Sequence, residues 1–376
     1  MVSATALIVP EKDAPFQVTE VQLDSLRPDE VSVQLKATSI CATDVAVQHG
    51  KIPLPFPIVV GHEGAGVVLE IGSAVSDIAV GDHVVLSYNS CGECKPCRQQ
   101  KNFRCIETMG KNFGVQRKDG SQTIQWNGKP VSSCFFGQSS FCNPSIVQAA
   151  SCVKIDKSLD LSVMCSMGCG IQTGAGAVLN VVKPTERDVN SLAIFGIGAV
   201  GSAALMMAKV VAQDNPGTLS KIIAVDMDKE RLGLAREFGA THCLNPQTDD
   251  IQAKIMELTG GEGVDAAVDC SGVLSVINTM IEVIGTGGMA VTVGNPPNGS
   301  KATVEIFPFI LGCKTYCASH QGNSYSKSFI PYLASLFKEN RFPIDRLQKK
   351  YDAEKVNEAI SDMTSGAVIK PVLIWA

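Results

Sequence analysis

Histidine is scarce in this chain, with five among 376 residues. A histidine set between turn residues therefore stands out as a candidate ligand. Long charged runs are missing too, and the net charge is only -5. That leaves no electrostatic footprint for nucleic acid. No apolar run reaches the length of a membrane span, so no membrane association is expected. The N-terminal MVSATALIVPEKDAPF has neither a basic start nor a long apolar core. It reads as a first strand rather than a signal peptide, and a cytoplasmic location follows as an expectation. Low-complexity tracts are absent. With 45 % hydrophobic and 18 % charged residues, a disordered chain is excluded.

What the chain has in quantity is cysteine, fourteen in all. In a long chain without an export signal, metal ligands and buried thiols are expected rather than disulfides. The first third, up to about residue 160, is punctuated by Pro and Gly and alternates apolar with polar residues, as in VSVQLKATSI. Short half-buried strands are expected there. Near residue 170 the texture changes. SLAIFGIGAVGSAALMMAKVVA and KIIAVDMDKERLGLAREFGA each read as a buried strand, a turn and a helix. The predicted fold class is thus α/β, a β-rich domain with a doubly wound parallel sheet. After residue 310 the β-type texture returns. The expected division is 1–168 with 311–376 in one domain, and 169–310 in the other.

Gly196, Gly198 and Gly201 form G-x-G-x-x-G between a predicted strand and helix. The glycines allow a tight turn and close approach to a pyrophosphate at a helix N-terminus. Asp226 ends the next strand. A carboxylate there accepts hydrogen bonds from ribose hydroxyls and repels a 2′-phosphate, which favours NAD over NADP.

Two cysteine constellations invite a metal. CGECKPCRQQKNFRC supplies Cys91, Cys94, Cys97 and Cys105 on one loop. Four thiolates fill a tetrahedral zinc shell and leave no position for substrate. Four cysteines also suit an iron–sulfur cluster, and the spacing serves both. A catalytic zinc instead needs three ligands and one open position. Cys41, His62 and Cys169 are candidates, with Glu63 beside the histidine and Asp44 placed to orient its ring. Taken singly, each has a plainer reading as a buried thiol or a core histidine.

Together these motifs resemble the zinc-dependent medium-chain alcohol dehydrogenases over nearly the whole chain. The resemblance rests on C41-A-T-D44, G61-H-E-G-A-G66, the four-cysteine loop, G168-C-G-I-Q-T-G-A-G176, G196-I-G-A-V-G201 and Asp226. FFGQSSF at 135–141 and GCGIQTGAGAVLN at 168–180 are most similar to the benzyl or aryl alcohol branch. The resemblance implies a GroES-like zinc domain, a Rossmann domain, two Zn2+ per chain and NAD. It makes Cys41, His62 and Cys169 the catalytic zinc ligands, and Glu63 an acid near the metal. Cys91, Cys94, Cys97 and Cys105 match the structural zinc. Thr43 matches the hydroxyl bridging substrate and cofactor. Thr173, Arg231, Val293 and Lys370 fall with the glycines and Asp226 among cofactor contacts. Tyr88, Phe135 and Phe136 could line a pocket for an aromatic alcohol, and the two phenylalanines read equally well as core.

Two positions depart from the family pattern. Ala46 stands where many members carry a proton-relay histidine, and His49 is the candidate substitute. Ala42 replaces a frequent basic pyrophosphate ligand. The expected activity interconverts a primary alcohol and its aldehyde. Rival readings are an S-(hydroxymethyl)glutathione dehydrogenase, an enzyme for a larger aromatic alcohol, a reductase of C=C or C=N bonds, and a zinc-free nucleotide-binding protein of the same fold. A homodimer or homotetramer is expected from exposed strand edges.

Overall fold

Alternating residues at the start of the chain pair into antiparallel ladders in the computed structural model, which describes residues 2–376. Strand Val2–Ile8 pairs with Gln17–Leu23 and with Cys142–Asn143. A second sheet is built around Glu30–Ser39, which pairs antiparallel with Gly64–Ile71 and, at its other end, with Lys370–Ile374. His83–Leu86 and Cys152–Ile155 continue it beyond Gly64–Ile71. One apolar core, from Leu7 and Leu35 to Phe141 and Leu373, fills this unit. Gly66 lies at a register shift beside Leu35, and a Cβ there would meet the Gln34 carbonyl oxygen at 2.2 Å. Only glycine lets the two strands approach so closely.

The second unit carries a six-stranded parallel sheet. Its strands run in the order His242–Leu244, Lys221–Val225, Ser191–Phe195, Val264–Asp269, Ile284–Thr292, Thr315–Ala318. The order reverses beside Ser191–Phe195, at a topological switch point of a doubly wound sheet. Strands such as Ser191–Phe195 are buried along their whole length, because helices cover both faces.

The chain divides somewhat differently from the sequence expectation. One unit takes the chain up to Cys169, Tyr325–Lys338 and Ile344–Ala376, and the other takes Gly170–Ser324 and Glu339–Pro343. Residues 311–324 thus stay with the parallel sheet, because Thr315–Ala318 pairs with Ile284–Thr292 as its last strand. The C-terminal stretch is also more helical than its texture suggested, with Ser326–Lys338 and Val356–Ser365 both helices. No single helix among the described residues is long and apolar enough to cross a membrane.

Candidate metal centre and nucleotide turn

Two strand ends and a helical turn, Cys165–Gly168, converge in the β-rich unit. Cys41 caps the helix Ala42–Gln48 just after strand Glu30–Ser39, and His62 precedes the neighbouring strand Gly64–Ile71. Cys169 follows a turn held against the next strand in the sheet. The Ser87 hydroxyl donates to the Gly168 carbonyl at 2.7 Å, and a Cβ on Gly168 would meet the Leu86 carbonyl oxygen at 2.0 Å. Ligand atoms of Cys41, His62, Glu63 and Cys169 lie within 4.8 Å of one another.

Asp44 organises the set. Its Oδ2 accepts from the Cys41 backbone N–H at 2.9 Å, as an acid in the first helical turn can do. Its Oδ1 accepts from Gly61 N–H at 3.0 Å and from His62 Nδ1 at 3.0 Å. The imidazole is therefore held as the tautomer protonated at Nδ1. Its Nε2 is buried and has no hydrogen-bond partner. Of the two sulfurs, Cys41 is the one whose ionised form is favoured. Its thiol is held well below the ordinary value, first by the hydrogen bond from Cys169 and then by His62 and Lys370, against burial. Cys169 is pushed well up by the same bond and by burial. For His62, burial opposes protonation, but Asp44 and then Cys41 outweigh it and raise the pKa.

Glu63 is buried behind this set. It accepts from the Ser39 hydroxyl and pairs with the Lys370 ammonium, which also donates to the Ile40 carbonyl at 3.1 Å. Lys370 is 2 % exposed. The pyrophosphate role expected for it must share its charge with this pair. Thr43 Oγ1 lies 3.7 Å from the Cys41 sulfur.

The four-cysteine loop closes on itself. Cys91, Cys94, Cys97 and Cys105 also bring their sulfurs within 4.8 Å of one another, and none is in a disulfide. Backbone N–H groups point at two of the sulfurs, Cys91 to Cys105 and Cys94 to Cys91, each at 3.3 Å. Such donors favour thiolates. Backbone hydrogen bonds, led by that involving Ile106, bring Cys94 down to about 6, whereas burial pushes Cys97 up to about 12.

In the other unit, Gly196 has φ +86° and Gly198 caps the helix Ala199–Asp214. A Cβ on Gly201 would strike the Gly196 carbonyl oxygen at 1.9 Å, while one on Gly198 would meet nothing within 4 Å. The first contact packs helix against strand, and the second leaves the backbone open to a ligand. Asp226 follows strand Lys221–Val225 and straps the turn. Its Oδ2 accepts from Ile197 N–H at 2.6 Å and its Oδ1 from Asp228 N–H at 2.9 Å. Arg231 lies on the following helix, Lys229–Glu237, with its Nε 3.9 Å from Asp228. Thr173 donates to Gln321 at 3.4 Å, and Val293 N–H donates to the Asp269 carbonyl at 2.9 Å.

Comparison with known proteins bears on this arrangement. Residues 27–157 match the family described as alcohol dehydrogenase GroES-like domain, and residues 199–338 match the zinc-binding dehydrogenase family. A geraniol dehydrogenase of Castellaniella defragrans is 35 % identical over 378 residues, covering 100 % of this chain and 98 % of that one. The chain belongs to the zinc-binding alcohol dehydrogenases. Two solved structures share the whole fold of this dehydrogenase. An alcohol dehydrogenase zinc-binding domain protein from Burkholderia ambifaria is 39 % identical, with TM-score 0.94 and 99 % of both chains covered. The benzyl alcohol dehydrogenase of Acinetobacter calcoaceticus is 36 % identical, with TM-score 0.94 and both chains covered completely.

The donors of this dehydrogenase fit zinc. A buried Nε2 without a partner and two cysteine sulfurs within 4.8 Å form a nitrogen–sulfur donor set suited to zinc. Other expectations shift. His49 ends the helix Ala42–Gln48 and turns outward, its Nδ1 2.8 Å from Asp13 with 44 % of the side chain exposed. That contact with Asp13 holds it at the surface. Phe135 is fully buried and Phe136 is 5 % exposed. Phe136 stacks on the His62 ring at 4.5 Å between centroids, and Phe135 meets it edge-on at 5.5 Å. Both rings thus pack against the imidazole. Tyr88 is buried as well, and burial raises its pKa.

Sequence reasoning missed Ser39 and Gln138. The buried Gln138 amide donates to the carbonyls of His62 at 3.0 Å and Ser87 at 3.1 Å. A glutamine set between the phenylalanines of FFGQSSF was the available signal.

Proposed function

We propose that this alcohol dehydrogenase is NAD-linked and interconverts a primary alcohol and its aldehyde, with an unsaturated group on the carbinol carbon, benzyl alcohol being the type. The observation that carries the chemistry is the convergence of Cys41, His62 and Cys169 with the partnerless Nε2. The substrate class is supported by the benzyl alcohol and geraniol dehydrogenases, both over a third identical across the full chain.

In this reading Cys41, His62 and Cys169 hold a catalytic zinc, and Cys91, Cys94, Cys97 and Cys105 a structural one. Bound at the first site, zinc supplies Lewis-acid stabilisation of negative charge on the substrate oxygen. Asp44 fixes the imidazole tautomer and orientation, and Glu63 with Lys370 places a neutralised acid beside the thiols. Thr43 is the hydroxyl that takes the substrate proton. Gly196, Gly198 and Gly201 cradle the pyrophosphate, and Asp226 receives the ribose hydroxyls while holding the turn. Thr173, Arg231 and Val293 complete the coenzyme contacts, and Tyr88 is retained as a substrate-side residue.

Self-association fits the exposed apolar residues Ile306, Phe307, Ile310 and Leu311, close in sequence to the edge strand Thr315–Ala318. An open strand edge and an apolar patch favour a second copy. The test is NAD- and NADP-coupled turnover across benzyl, cinnamyl, geranyl, saturated aliphatic and glutathione-adduct alcohols, with metal content measured alongside. Highest kcat/KM for the unsaturated primary alcohols with NAD supports the reading. A preference for the glutathione adduct overturns the substrate class, and a metal-free, inactive protein overturns the enzyme.

A further inference from the structure

The segment Cys134–Phe141 has an unusual backbone. Cys134, Phe136 and Ser139 adopt φ of +64°, +53° and +47°, with Gly137 between them at +69°. Non-glycine residues seldom enter this region, and a cluster of them persists only where surrounding contacts hold it. Four of those contacts lead to one place. Ser139 Oγ donates to the Val59 carbonyl at 2.7 Å, Phe141 N–H to Val60 at 3.0 Å and Ser140 N–H to Gly61 at 2.9 Å. Gln138 donates to His62 itself. The segment thus lies along residues 59–62 and grips each carbonyl in turn.

Phe136, at φ +53°, has its ring over the imidazole, 23° from parallel. Phe113 closes the far side, edge-on to Phe136 at 5.1 Å. Asp44 fixes the imidazole through one ring nitrogen, but a single hydrogen bond leaves the ring free to tilt about it. A stacked ring backed by another removes that freedom.

We infer that Phe136 is a positioning residue for the metal-binding imidazole, holding the plane of His62 so that Nε2 stays aimed at the Cys41 and Cys169 sulfurs. This rests on the ligand reading of His62 above.

The experiment follows release of metal from the purified holoenzyme to a chelator and the visible spectrum after cobalt substitution. Wild type is compared with Phe136→Leu, Phe136→Tyr and Phe16→Leu. Phe16 is a buried phenylalanine of the same core that packs on Phe141, and it controls for lost packing. Phe136→Met, closer in volume, replaces the leucine variant should that variant not fold. We expect one of the two metals to leave Phe136→Leu roughly 10–100-fold faster, the scale seen when groups supporting a ligand are removed. Its cobalt bands should shift, while Phe136→Tyr stays near wild type and Phe16→Leu lowers Tm without moving the bands. Identical release and spectra for Phe136→Leu and Phe16→Leu overturn the inference. So does unchanged metal retention with a raised KM for benzyl alcohol, which would make Phe136 a pocket wall. His62→Ala separates the layers. If it keeps both metals, the ligand reading itself has failed and the inference falls with it. If it loses one while Phe136→Leu keeps both, only the positioning role fails.

Discussion

The two sulfur-bearing clusters of the β-rich unit offer a contrast in how a site is built. Residues 91–105 supply all four sulfurs of one, and their own backbone N–H groups turn in toward those sulfurs. The other draws Cys41 and His62 from two strand ends and Cys169 from a helical turn, with Asp44 hydrogen-bonded to His62 and Phe136 stacked on it. A local site can fold around its metal with little help. An assembled site depends on the sheet, and its ligands can be tuned independently through their supports.

Four substitutions probe that contrast. Cys169→Ser should cost on the order of 10³-fold or more in turnover and one metal ion per chain, because several kcal/mol of charge stabilisation goes with the metal. Elemental analysis with steady-state kinetics checks this, and full metal content with full turnover would dissolve the contrast. Asp44→Asn comes next. Losing one of its acceptor oxygens should weaken metal binding at the assembled site by about 10–100-fold. Chelator competition should show the four-cysteine metal unmoved, and equal weakening at both would mean that Asp44 supports the whole unit.

Cys97→Ser should reverse the pattern. Loss of the loop metal is expected to lower Tm by on the order of 5–10 °C. Turnover of the folded fraction should stay within about threefold, a difference of under 1 kcal/mol. Calorimetry paired with active-site titration decides it, and a collapse of turnover at unchanged Tm would assign the loop a part in the reaction. The smallest effect belongs to His49→Gln. An exposed pair with Asp13 contributes about 0–1 kcal/mol, so kcat should change by no more than about twofold. A large fall, most of all one confined to proton-transfer steps, would restore His49 to the relay.

Much of this was legible before any coordinates. The glycine turn, the strand-end Asp226 and the closely spaced cysteines are local signals, since the geometry they need lies within a few residues of chain. Other features were not. Lys370 reads as a basic residue near a phosphate, yet its ammonium is buried against Glu63, more than three hundred residues away in sequence. His49 lies close enough to Thr43 in sequence to suggest a relay, but the helix carries it outward to Asp13. Phe135 and Phe136 suggested a pocket because aromatic pairs often form one. Phe136 takes a left-handed backbone with no glycine at that position to announce it, and its ring lies on His62.

The sequence by itself determined the two-part α/β organisation, the nucleotide turn and the zinc-type donor inventory, because periodicity, glycine placement and ligand chemistry act over short spans. Tertiary structure alone decided which donors meet, which charges cancel and which ring stands behind the histidine. Those outcomes depend on strand register and burial, and a residue cannot carry in its own neighbourhood the identity of the partner that a sheet will bring to it.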